Sequence, residues 1–251
     1  MNRPCASLPF DRRLRRAWLA LALCLPAVCG AAEQYEGQAY TRDGSRLLYR
    51  ETHLVDGPRH LVLYRCPDGK AFARKRLDRA PGAASPDFEL VDGRDGYREG
   101  VRDGTVFVQA GSGAKTRSAR LPTPRPVIDA GFDAFVRGAW DGLAEGRSMP
   151  FLVPSRLRAM DFDIRQVASD AERRSFRMSL GAWYGALLPP ILVDYALANR
   201  QLLRYRGISN LRTARGGSVE VDIRFAPGRR SVDTGAFGAA ARAPLDGRCA
   251  L

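Results

Sequence analysis

From residue 35 onward the sequence alternates apolar and polar residues with a period of two, and turn formers interrupt it roughly every 8–12 positions. Side chains alternate sides along a β-strand, so this rhythm calls for short strands with one buried face. The run 218–225 is the clearest case. Val219, Val221, Ile223 and Phe225 alternate with Glu220, Asp222 and Arg224, as in a strand with one wet face. Runs at 35–41, 46–55, 59–66 and 70–77 are joined by Asp43-Gly44, Asp56-Gly57-Pro58 and Pro67-Asp68-Gly69. In the last of these, proline presets φ and glycine accepts a positive φ. Further runs fall at 87–91, 96–101, 105–109, 115–121, 151–153, 160–166, 174–180, 191–197 and 201–211. The expected fold is mainly β (α+β): a curved antiparallel sheet or half-open barrel of about ten to twelve strands.

One helix is expected near 130–145, packed on the concave face. Phe132, Phe135, Val136, Ala139, Trp140 and Leu143 form a single apolar stripe at helical spacing, with Asp133, Arg137, Asp141 and Glu145 opposite. Asp129 is the expected N-cap and Gly146 the stop. Gly138 and Gly142 weaken the helix and would suit close approach to a sheet.

The first 32 residues have the three parts of a secretory signal: a basic start, an apolar run at 17–28, and small residues at 29–32. The apolar run is shorter than the roughly 20 residues a spanning helix needs. Cleavage is expected near 30–32, which makes the protein periplasmic and not integral to the membrane. It leaves one antiparallel β domain over 33–226 with the helix inside it. Residues 227–251, poor in large apolar side chains, are expected as a disordered tail. Taking away the five arginines and one aspartate of the signal lowers the formal net charge from +13 to +9. Only three lysines occur (Lys70, Lys75, Lys115), so the basicity is almost all arginine. Such a charge suits an anionic envelope surface as partner. Export and the lack of a basic, aromatic-interleaved module argue against nucleic acid. Of five cysteines, Cys66 and Cys249 lie beyond the signal, a pair suited to a disulfide in an oxidising compartment.

Catalytic and metal chemistry have few residues to use. The only histidines are His53 and His60, with no ligand spacing around them, so no metal and no cofactor are expected. Tyr49, Glu51 and His53 share one strand face. Glu51 and His53 could do acid–base work if they lined a cleft. Ser112 sits in a Gly-Ser-Gly turn with no histidine after it, which excludes a Ser-His-Asp hydrolase in that chain order. The acidic string Asp87, Glu89, Asp92, Asp95 lacks calcium-loop spacing and reads as solvated strand ends. The aromatic set Phe132, Phe135, Trp140, Trp183, Tyr184, Tyr195 and Tyr205 either packs as plain core or lines an apolar cavity for a lipid or other apolar small molecule.

The order of elements in 191–225 is a strand, an Asn-Arg turn, a Gln-Leu-Leu strand, a Gly-rich turn and an alternating strand ending Ile-Arg-Phe. It resembles the closing strands of LolA/LolB-type periplasmic lipoprotein carriers. Those carriers have more helix near their start, so no functional residue is carried over. The phrases Tyr-Arg-Glu-Thr-His (49–53), Asp-Ala-Gly-Phe-Asp-Ala-Phe-Val (129–136) and Tyr-Arg-Gly-Ile-Ser-Asn (205–210) also resemble uncharacterised exported bacterial β-sheet proteins. The expected function is a non-enzymatic binding or carrier role for an apolar or lipid-like ligand. The alternatives are an envelope structural or assembly protein with a basic surface, and an enzyme using Glu51 and His53.

Overall fold

The computed structural model describes residues 31–181 and 189–251. The expected signal at 1–32 therefore lies outside the described residues except for Ala31 and Ala32. Eight strands come first: β1 (Ala32–Thr41), β2 (Leu47–Asp56), β3 (Arg59–Arg65), β4 (Ala71–Asp78), β5 (Asp87–Asp92), β6 (Arg98–Arg102), β7 (Thr105–Gln109) and β8 (Arg117–Arg120). Helix α1 (Gly131–Gly138) leads to β9 (Arg147–Val153), β10 (Arg158–Ser169), β11 (Arg173–Leu180), β12 (Ile191–Ala196), β13 (Leu202–Arg212) and β14 (Ser218–Phe225). The chain ends with β15 (Arg230–Val232) and α2 (Thr234–Arg242).

These strands form a single sheet, mainly β and not closed. Its order is two meanders, β1–β8 and β9–β14, laid side by side through antiparallel pairing of β1 with β14. The sheet ends are β8 and β9, and β15 pairs with β1 off the main path. A 3-10 turn at Pro154–Arg156, just after β9, touches β6 and β7. The sheet thus curls back on itself without joining its edges. Fifteen strands exceed the ten to twelve expected. All but β15 (Arg230–Val232) correspond to alternating runs in the sequence.

Register carries one face continuously across the meander junction: Tyr205 pairs with Ile223, Ile223 with Ala39, and Ala39 with Tyr49. This inner face holds two apolar clusters. The first centres on Tyr49, Tyr64, Phe72 and Leu90, with Leu152 arriving from β9. The second joins Phe132, Val136 and Trp140 to Ile164, Phe176 and Tyr195. Gly37 lies between Phe225 and Glu51 in the ladder. A Cβ there would come 2.8 Å from Phe225 Cε1, so glycine is what lets that ring lie across the inner face.

Two expectations are corrected here. The helix is shorter than 130–145, ending at Gly138. Trp140 and Leu143 are still buried, from the turns that follow. A Cβ on Gly138 would have no neighbour within 4 Å, so its glycine marks the helix end rather than a close approach. Asp129 is not the N-cap. That position is Ala130, without a side-chain cap, while Asp129 takes φ +46° and turns its carboxylate elsewhere.

The stretch 227–251 is likewise folded rather than a disordered tail. Asp233 accepts from Gly235 N at 2.6 Å and starts α2. Ala236, Phe237 and Ala240 then cover Leu54, Leu61, Leu63 and Ala71 on the outer face. Small side chains suffice because the helix needs only to pave a patch the sheet already presents. Cys66 and Cys249 form a disulfide, with Cα atoms 5.6 Å apart, and Gly247 N donates to Ala71 O at 2.8 Å. Among the described residues no helix is long and apolar enough to cross a membrane.

Candidate functional site

The alternation in β2 puts Tyr49, Glu51 and His53 on the inner face, as their spacing predicts. The β2–β3 hairpin pairs Val55 with His60, so His60 lands diagonally from His53 on the same face. Arg79, just past β4, closes the set. Its Nη2 donates to His60 Nδ1 at 2.9 Å. A guanidinium has only donors, so His60 must carry its proton on Nε2. His60 Nε2 then donates to His53 Nδ1 at 3.0 Å, and His53 Nε2 donates to Glu51 Oε2 at 2.9 Å. One guanidinium thereby fixes both tautomers along a directed chain.

The chain is enclosed. Glu51, His53 and His60 are 6%, 8% and 2% exposed. Tyr35 stacks on His53 with ring centres 4.4 Å apart, Phe225 meets it edge-on at 5.7 Å, and the Arg229 guanidinium lies over Tyr35. Burial, with the Arg79 guanidinium against its ring, holds His60 basicity well below its ordinary value. Each group in the chain is bonded to the next, and both ring nitrogens of His53 and of His60 are used.

A second polar set lies deeper in the same half of the sheet. Lys75 Nζ donates to Asp129 Oδ1 at 2.6 Å, both side chains buried. The same carboxylate accepts from Ala130 N at 2.5 Å and from Asn210 Nδ2 at 3.2 Å. These bonds account for the strained backbone of Asp129. On β6, burial and then the nearby Asp129 charge push the Glu99 carboxyl up to about 7, against the Tyr97 hydroxyl that donates to it at 2.6 Å. The irregular pairing between Ile208 and Arg212 marks a bulge. Beside it, Ser209 bonds the Tyr49 hydroxyl at 3.0 Å, and the Tyr205 hydroxyl donates to Ile208 O at 2.7 Å.

Spacing within one strand could bring out Glu51 and His53. It could not reach Lys75 and Asp129, which are 54 positions apart. The one available signal was a lysine at the inward parity of β4, between Ala73 and Leu77. The acidic string is also less solvated than expected. Asp92 is buried and paired with Arg94 at 2.6 Å, and Asp95 is held by Arg212 at 2.7 Å. Among the described residues no group of three or more histidine, cysteine, aspartate or glutamate side chains is placed to hold a metal.

Of the aromatic set, Trp183 and Tyr184 lie outside the described residues. Trp140 and Tyr195 pack edge-to-face with each other at 5.8 Å and with Phe176 at 5.4 and 6.0 Å, as a closed cluster. Phe132 is buried beside them, and Phe135 and Tyr205 are half-buried at its border. Phe151 and Phe162, which the sequence reading did not single out, meet edge-to-face at 5.6 Å and stay half-buried, as does Ile191. Burial raises the Tyr195 hydroxyl well above its ordinary pKa, and it has no hydrogen-bond partner among the described residues.

No protein-family model matches the chain, and no curated protein matches it. Among solved structures the chain is similar to a β-barrel-like protein of a domain of unknown function, DUF1849, from Brucella abortus. The identity is 11%, the TM-score is 0.43, and the similarity covers 81% of this chain and 98% of that one.

Proposed function

We propose that the chain is an exported, periplasmic binding protein that carries an apolar or lipid-like ligand at the β9–β12 end of its inner face. The observation behind this is the unequal finish of the two halves. In β1–β7 the inner face is sealed by Tyr49, Tyr64 and internally satisfied polar groups. Around β9–β12 a packed centre is bordered by half-buried Phe135, Phe151, Phe162 and Ile191. Clustered apolar side chains left partly open favour an apolar partner.

Native mass spectrometry and lipid extraction of the protein purified from its producing cells test the reading. A bound apolar molecule, released into organic solvent, is the expected result. A bare polypeptide mass together with no uptake of a hydrophobic dye would sink it. The enzyme reading on Glu51 and His53 is the weaker one, because both ring nitrogens of His53 are taken up, one by Glu51 and the other by His60.

A further inference from the structure

Three arginine pairs stand directly opposite one another across neighbouring strands: Arg50 with Arg65, Arg204 with Arg224, and Arg165 with Arg177. Like charges in that position destabilise a sheet unless something takes up the charge. Two of the pairs have internal acceptors. Arg50 and Arg65 donate to the carbonyls of Pro67 and Gly69, each at 3.0 Å. Arg204 and Arg224 converge on the buried carboxylate of Asp222, at 2.6 and 2.9 Å.

Arg165 and Arg177 have no such partner among the described residues. Instead both line a shallow cleft of about 450 Å³ over β9–β11, together with Arg147, Ser148, Ser179 and Asp163. Asp163 pairs in the ladder with Ser148 on one side and Ser179 on the other. A row with one carboxylate and two hydroxyls thus runs beside the row with the two arginines. Three guanidiniums against one carboxylate leave the cleft net positive, with hydroxyl donors at hand.

We propose that this cleft binds a phosphate-class oxyanion, which supplies the acceptor that the other two arginine pairs find within the chain. Arginine suits the task because its planar fork of donors matches phosphate oxygens in pairs. The phosphate belongs either to a lipid headgroup or to a small soluble molecule. The site stands apart from the apolar end of the inner face and does not depend on it.

Inorganic phosphate titrated into the purified protein at low salt, read by calorimetry, tests the site. Saturable binding is expected. It should weaken by about tenfold or more in the Arg165→Gln/Arg177→Gln variant and stay unchanged in Arg117→Gln/Arg120→Gln, on β8 outside the cleft. Arg147→Gln, at the exposed start of edge strand β9, should weaken it as well and does not disturb the opposed pair. Co-sedimentation with phosphatidylcholine vesicles containing phosphatidate, competed by free phosphate, would assign a headgroup. Phosphate binding without sedimentation would assign a soluble ligand. Absence of phosphate binding, or equal weakening in the β8 variant, would overturn the proposal.

Discussion

At the scale of single residues, the inner face holds charge and hydrogen-bonding groups that respond to pH in opposite senses. His60 is held well below its ordinary 6.5. As pH falls, the unfolded chain takes the proton first, so this group withdraws stability below about pH 6.5. Glu99, raised from 4.5 to about 7, does the reverse. The unfolded chain loses that proton first, so stability falls as pH climbs from about 4.5 to about 7. Glu99→Gln keeps an acceptor for Tyr97 and removes the fall. Urea titrations should find it more stable than the parent at pH 8, with the advantage gone by pH 4.5. Each pH unit between the two pKa values accounts for at most about 1.4 kcal/mol. An unchanged difference across that range would mean that Glu99 ionises as an ordinary surface carboxylate. His60→Leu strands the Arg79 donor and His53 Nδ1, and should cost roughly 1–3 kcal/mol in the same assay at pH 7.5. The pairing of Glu51 with His53 could be read from their spacing. The link to His60 needed the hairpin offset, and the link to Arg79 needed the path of the chain beyond β4.

Elements were legible where a strand has one wet face and hidden where tertiary packing overrides local preference. The alternation of 218–225 maps directly onto β14. The apolar stripe of 130–145 reads as one long helix because burial follows helical spacing, yet the backbone stops at Gly138 and turns bury the remainder. α2 was invisible because its residues are small. Its stability comes from the Leu54, Leu61 and Leu63 patch beneath it and from the disulfide that holds the end of the chain. That crosslink spans 183 positions, so closing the loop removes much freedom from the unfolded chain. Cys66→Ser/Cys249→Ser should lose about 2–5 kcal/mol. Proteolysis should then begin within 227–251. Resistance there equal to that of the parent would show that α2 holds without the crosslink.

For the whole molecule, the period-two pattern was enough to reach an open, curved antiparallel sheet. It could not reveal that two meanders meet at β1 and β14, because that pairing joins residues 180 to 188 positions apart. Nor could it separate an inner face sealed by polar groups from one left partly apolar, since both use the same alternation. The likeness of 191–225 to LolA/LolB-type carriers rests on the order of elements alone. The carrier reading stands on the apolar border around β9–β12.

Titration with a fluorescent fatty-acid analogue, on the parent and on Phe162→Asn, tests that border most directly. We expect saturable binding by the parent and a loss of about tenfold in the variant, or ~1.4 kcal/mol, with near-ultraviolet circular dichroism unchanged. Failure of the parent to bind, or equal affinity in the two proteins, would contradict an apolar ligand site at the β9–β12 end of the sheet.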